Sequence, residues 1–125
     1  MSSSREVIFS VKPPMFIQVD KLFPVIIEGP DDKHHGRIGA LALFSTETSE
    51  FCNEFLEFAS GYNATNAWGN GRNPNMQSME FKMKITQEGN YYISIQLYNE
   101  PADGTVKLVE IVKSLTFFVL PKPGE

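Results

Sequence analysis

The sequence predicts a mainly β domain, an antiparallel sandwich of about seven strands with one short helix near residues 48–59. The prediction rests on apolar–polar alternation with a period of two over residues 79–98, on Gly, Pro and Asp turns at the spacing of short strands, and on a helical phase confined to one segment.

Val7, Phe9 and Val11 alternate ahead of Pro13-Pro14. Proline donates no ladder hydrogen bond, so this first strand belongs at a sheet edge. Leu22 to Ile27 is nearly all apolar, Gly29-Pro30-Asp31-Asp32 turns, and Arg37 to Phe44 continues as Ile-Gly-Ala-Leu-Ala-Leu-Phe, so both runs read as buried strands. From Ser45 to Gly61 the phase changes. Phe51, Phe55 and Phe58 recur at i, i+4 and i+7, with Glu50, Glu54 and Glu57 on an adjacent face. That spacing predicts an amphipathic helix capped by Thr48 or Ser49 and stopped by Gly61, with an irregular strand as the alternative. Gly61 to Asn75, rich in Gly and Asn around Trp68, reads as a long surface loop of the kind that carries function.

Met79, Phe81, Met83 and Ile85 alternate with Glu80, Lys82 and Lys84, which makes a strand with one wet face. Gln87-Glu88-Gly89-Asn90 turns, and Tyr91, Ile93, Ile95 and Leu97 then alternate with Tyr92, Ser94, Gln96 and Tyr98. Asn99 to Gly104 is rich in turn formers, and Thr105 to Val119 is β-branched and aromatic. Val106 and Leu108 lie in one register and Val109, Ile111, Leu115, Phe117 and Val119 in the other, which predicts a bulge near Leu108 to Glu110.

A chain of 125 residues suits one domain, residues 1–125, with a flexible start at 1–5 and a flexible tail at 121–125. Hydrophobic residues at 42% and ten Phe supply ample drive for collapse. The single cysteine, Cys52, closes no intrachain disulfide, and no apolar run has the length of a signal h-region or a membrane span. An intracellular place, cytoplasm or nucleus, is therefore expected, with no membrane partner. A leader removed ahead of Met1 would instead place the chain outside the cell, where the sequon Asn63-Ala64-Thr65 would matter. The formal charge of −4 argues against a whole-surface grip on nucleic acid.

No constellation for catalysis, metal or cofactor stands out, so neither an enzyme nor a cofactor is expected. His34-His35 beside Asp31-Asp32 has no third ligand nearby in sequence, and neighbouring side chains of a loop point apart. Cys52 in a Phe-rich acidic segment reads as a small buried hydrophobe, not a nucleophile. Gly69-Asn70-Gly71 matches no phosphate-binding loop. Charge is more informative: no Lys or Arg lies between Arg37 and Arg72, while Glu47, Glu50, Glu54 and Glu57 do. Either these carboxylates form a solvated face or Glu50, Glu54, Glu57, Tyr62, Trp68 and Arg72 make an acidic, aromatic surface for a protein partner or self-association. Trp68 is equally placed to anchor a partner or to fold back over the sandwich. The alternative function is an extracellular or surface domain binding carbohydrate through Tyr62, Trp68, Asn70 and Arg72 of the 61–75 loop.

Gly89-Asn90-Tyr91 ahead of a strand has the form of the tyrosine corner, in which the hydroxyl bonds back to nearby backbone. Gly89 and Tyr91 are then structural, Ile93 points inward, and the predicted sandwich is immunoglobulin-like. The ordering VKPPMFIQVDKLFPVII, then ALALFS, then a long insertion, then MEFKMKITQEGNYYISIQLYNEPADGTVKLVEIVKSLTFFV resembles the fungal velvet domain, most specifically over Gly89 to Leu97 and Ser114 to Val119. This resemblance implies a Rel-type immunoglobulin-like sandwich that dimerises and works as a regulatory factor in nucleus or cytoplasm, some members binding DNA. Arg5, Lys12 and Lys21 are the only basic residues of the first thirty where that family has an Arg-rich DNA-contacting stretch, so no DNA site is carried over.

Overall fold

The computed structural model describes residues 7–30, 38–70, 76–99 and 106–123. Among them run β1 (Ile8–Val11), β2 (Phe16–Gln18), β3 (Phe23–Pro30), β4 (Ile38–Ser45), β5 (Leu56–Phe58), β6 (Thr65–Ala67), β7 (Gly69–Asn70), β8 (Met76–Ile85), β9 (Gly89–Asn99), β10 (Lys107–Lys113) and β11 (Phe117–Leu120). One sheet has the order β1-β3-β8-β5, with β7 also on β8. The other has the order β2-β11-β9-β4-β6, with β10 also on β9. The β2–β11 pair is parallel and the remaining described pairs are antiparallel.

The predicted alternation sets the inner faces. Met79, Phe81, Met83 and Ile85 of β8 join Phe23, Val25 and Ile27 of β3 in one buried cluster with Tyr91, Ile93, Ile95 and Leu97 of β9, Leu41 and Leu43 of β4, and Phe117 and Val119 of β11. Burying each large apolar side chain contributes about 1.5–3 kcal/mol. Phe23 and Phe117 meet across the sheets edge to face, with ring centroids 6.1 Å apart. At Gly39 an added Cβ would collide with Met79 Sδ, so a larger residue in β4 would force the buried Met79 side chain to move. Pro24 is accommodated inside β3 because β1 pairs only with Ile26 to Glu28, leaving the Pro24 stretch flanked on the β8 side alone.

β8 and β9, the central strands of the two sheets, are joined by the corner at residues 86–88. The Tyr91 hydroxyl donates to the Gln87 carbonyl at 2.9 Å, the back-bond expected of a tyrosine corner. Gly89 has φ 155° and lies beneath that ring, where an added Cβ would sit 3.1 Å from the hydroxyl. Burial pushes the Tyr91 phenol up to about 12, with Cys52 and Glu54 adding to the rise.

The helix predicted near residues 48–59 is not formed. A turn at residues 46–48, with Ser49 at φ 59°, returns the chain along β4. Ser45 N–H donates to Glu50 carbonyl, Phe51 bridges Phe44, and Cys52 N–H donates to Leu43 carbonyl. Asn53 extends this pairing with its side chain, its Oδ1 accepting from Leu43 N–H at 2.7 Å and its Nδ2 donating to Leu41 carbonyl at 3.2 Å. A helix would leave those β4 groups unpaired, and that cost outweighs the helical spacing. Asn53–Phe55 makes one 3-10 turn before β5. Cys52 and Leu56 point inward, while Phe51 is 59% exposed.

Three further expectations need correction. About seven strands become eleven described segments because β8 and β9 each share one flank between two short partners. The 61–75 stretch is not strand-free: β6 pairs with β4, β7 pairs with β8, and Trp68 lies where the chain crosses between sheets. The bulge between Leu108 and Glu110 is present, but it turns Val112 inward and leaves Val109, Ile111 and Leu115 exposed. The start at 1–5, Asp31-Asp32, His34-His35, Arg72 and the 100–104 turn lie outside the described residues, as does the end of the tail at 124–125. No helix among the described residues is long and apolar enough to cross a membrane.

Two substitutions test this account. Asn53→Ala, which would be favourable in a helix, is expected to cost about 1–3 kcal/mol in urea denaturation because Leu43 N–H loses its acceptor. Tyr91→Phe is expected to cost about 1 kcal/mol at neutral pH. The folded phenol titrates near 12 against an ordinary 10, so its contribution is full below pH 10 and is lost as pH rises through 12. Denaturation curves across that range should show the gap between wild type and Tyr91→Phe narrowing with rising pH.

Candidate interaction surface

Alternation gives each sheet an outer face, and the two faces differ in chemistry. On the β8 sheet the outward positions include Glu28, Glu80, Lys82, Lys84 and Glu57, with Lys84 Nζ 3.8 Å from Glu57. On the β9 sheet they are Tyr92, Ser94, Gln96 and Tyr98 of β9, Ile38, Ala40, Ala42 and Phe44 of β4, and Leu108, Ile111 and Lys113 of β10. Phe118 of β11 and Phe16 of β2 extend this face.

Register aligns the second face in rows. Leu108, Tyr98 and Ile38 lie across one end, Ile111, Gln96 and Ala40 follow, then Lys113, Ser94 and Ala42. Phe44, Tyr92 and Phe51 close the other end, Phe44 stacked on Tyr92 at 5.3 Å and edge-on to Phe51 at 5.9 Å. Phe16 stacks on Phe118 at 5.4 Å beyond them. Lys113 is the one charged side chain in this set, its ammonium 5.9 Å from the Tyr92 ring centroid, while the Glu47 carboxylate borders the aromatic end, accepting from Asn90 Nδ2 at 3.3 Å, and Ser94 in the middle row is buried. Leu108 is 49% and Ile111 43% exposed.

Of the residues singled out in the sequence, Glu50, Glu54, Glu57, Tyr62 and Trp68 are described and Arg72 lies outside the described residues. Glu50, Glu54 and Glu57 are exposed, but Glu50 runs beside β4 while Glu57 is on β5 in the opposite sheet. Tyr62 is half-buried. Trp68 folds back: it packs on the core with its ring over Gly29, and its indole N–H is buried with no partner among the described residues. Asn63 Oδ1 accepts from Thr65 N–H at 2.8 Å and from its hydroxyl at 2.9 Å, an exposed Asx turn within the sequon. No group of three or more His, Cys, Asp or Glu able to hold a metal occurs among the described residues.

Cys52 is buried, and its thiol donates to Glu50 carbonyl at 3.2 Å. Burial raises its pKa; a backbone hydrogen bond at Ser45 opposes this, and the carboxylates of Glu54 and Glu50 add to it. A second apolar feature lies between the edges of the two sheets, a groove of about 510 Å³ walled by Val7, Phe9, Met15, Val112, Leu115 and Phe117.

The outer face of the β9 sheet was missed in the sequence, although its signal is there: β8 alternates apolar residues with charges, whereas β9 alternates them with Tyr, Ser and Gln. No protein-family model matches the chain, and comparison with curated proteins finds no match.

Native Cys52 is expected to react with a maleimide at least about tenfold more slowly than in the urea-unfolded chain, because a thiol that is buried and raised in pKa is a poor nucleophile. Equal rates would mean that residues 50–53 do not stay on β4.

Proposed function

We propose that this chain is a non-catalytic protein-interaction module that docks through the outer face of the β9 sheet. The observation that carries the proposal is the asymmetry between the two outer faces, one studded with charge and the other nearly free of it. An antiparallel sheet facing water ordinarily alternates apolar with polar residues, as β8 does. Contiguous apolar surface depleted of charge and rich in Tyr and Phe is the composition of interface cores.

The strand order supports reading the fold as an immunoglobulin-like sandwich. β1-β3-β8-β5 corresponds to the A-B-E-D sheet and β11-β9-β4 to the G-F-C sheet, with Tyr91 in the corner position. Ile93 stands two residues on, where antibody domains carry their second sheet-bridging cysteine. A velvet-like regulatory factor working by dimerisation in nucleus or cytoplasm accords with this reading.

A photo-crosslinking residue introduced at Ile111, and at Lys82 on the opposite face, tests the proposal in cells. Adducts identified by mass spectrometry are expected from position 111 and not from position 82. Equal adduct patterns from both positions would contradict docking through this face.

A further inference from the structure

We infer that the groove between the edges of the two sheets binds a small amphipathic anion, an unbranched long-chain carboxylate, with its chain in the groove and its head at Lys12. The site is separate from the outer face of the β9 sheet and does not depend on docking there.

The groove forms where the chain changes sheets. β1 pairs with β3, and after Pro13-Pro14 the chain enters the other sheet as β2, alongside β11. Proline lacks the N–H that a continuing ladder would use, so the first pairing stops before Pro13. On the other side, residues 114–116 separate β10 from β11. Between these runs lies a space of about 510 Å³ walled by Val7, Phe9, Val112 and Phe117. Small-molecule sites span roughly 300–1,000 Å³ and are mostly apolar and preformed. Val7, Val112 and Phe117 belong to the main core, so the packing of the sandwich fixes these walls.

The lips of the groove are large apolar side chains left in water, Leu115 at 83% and Met15 at 64% exposure. Hydrogen bonds pin the backbone at both. Phe118 N–H donates to Met15 carbonyl at 2.8 Å. Ser114 N–H donates to Ile93 carbonyl at 2.8 Å, while Ser114 Oγ accepts from Ile93 N–H at 2.9 Å and donates to Leu115 carbonyl at 2.8 Å. An apolar chain laid between the lips removes both from water. Residues 1–6, Met-Ser-Ser-Ser-Arg-Glu, carry little apolar chemistry with which the same chain could do so.

Charge selects the head group. Among the described residues no carboxylate lines the groove, whereas Lys12 and Lys113 border it in a chain of net −4. The smaller hollow beside Ser10 is lined instead by Glu28 and Glu80. The Lys113 ammonium lies toward the Tyr92 ring, and Lys12 makes no ion pair among the described residues. One cation at the mouth of an apolar groove complements a ligand with one anionic end and an apolar body.

Amide-spectrum titrations of the full chain test the inference with octanoate, decanoate and dodecanoate below their micelle concentrations, and with decylammonium as the head-group comparison. Shifts are expected at Val7, Phe9, Val112 and Leu115, with Kd tightening about tenfold for each two carbons added. Decanoate is expected to bind more tightly than decylammonium. Lys12→Gln should weaken decanoate about two- to fivefold, the scale of an exposed ion pair. Leu115→Glu should weaken it at least about tenfold. Lys82→Glu, which lowers the net charge further than either, should leave it unchanged, and all variants are checked for native circular dichroism. Absence of shifts at the groove, or shifts centred on the outer face of the β9 sheet, would overturn the site. Decanoate affinity unmoved by Lys12→Gln, or no stronger than that of decylammonium, would overturn the anionic head. Groove shifts that grow with protein concentration without carboxylate, or protein adducts from a photo-crosslinking residue at position 115 in cells, would overturn the inference by showing a protein occupant.

Discussion

The corner between β8 and β9 is the constraint on which the rest depends. These are the central strands of opposite sheets, so their junction sets how the two inner faces meet. The Tyr91 hydroxyl ties the corner to Gln87, its ring leans on Phe117 with centroids 6.3 Å apart, and Phe117 meets Phe23 of the other sheet. Gly89 leaves room beneath the ring. Each strand then needs only its period-two pattern to bury one face, and the short segments β5 and β7 line one flank of β8 as β10 and β11 line one flank of β9.

Edge recruitment explains the irregular middle of the chain. β4 carries β9 along its inner flank, while its outer flank is satisfied piecewise, first by residues 50–53 and then, beyond Asn53, by Ala64 carbonyl and β6. A sheet edge left open to water invites pairing with another chain. Here the edge is closed by backbone and one asparagine side chain. What stays open is the outer face of the same sheet, where the proposed docking would use side chains more than added strands.

Much of the fold was legible because burial repeats at the strand period. Met79 to Ile85 and Tyr91 to Leu97 point inward as their alternation indicates, the Tyr91 back-bond follows from Gly89-Asn90-Tyr91, and the bulge at Leu108 to Glu110 follows from the change of phase. The segment near residues 48–59 was misread because Phe51, Phe55 and Phe58 happen to be spaced for a helix, and nothing local reveals that Leu41 and Leu43 need hydrogen-bond partners. The candidate surface was illegible for a related reason. It is assembled from β4, β9 and β10, whose outward residues are unremarkable singly and become a patch only when register brings Ala42 beside Ser94 and Ile111 beside Gln96. The helical face that would align Glu50, Glu54 and Glu57 is not formed, and the three carboxylates are exposed on residues 50–57 in other conformations.

Docking through the outer face of the β9 sheet is the central proposal, and the residues that respond to a partner test it most directly. A series of two-dimensional amide spectra from dilute to concentrated protein reads this residue by residue. Concentration-dependent shifts or broadening are predicted at Ala40, Ala42, Tyr92, Gln96 and Ile111, with Glu80, Lys82 and Lys84 unmoved. Changes gathered instead around Met15 and Leu115 in the groove between the sheet edges, or on the charged face, would contradict it.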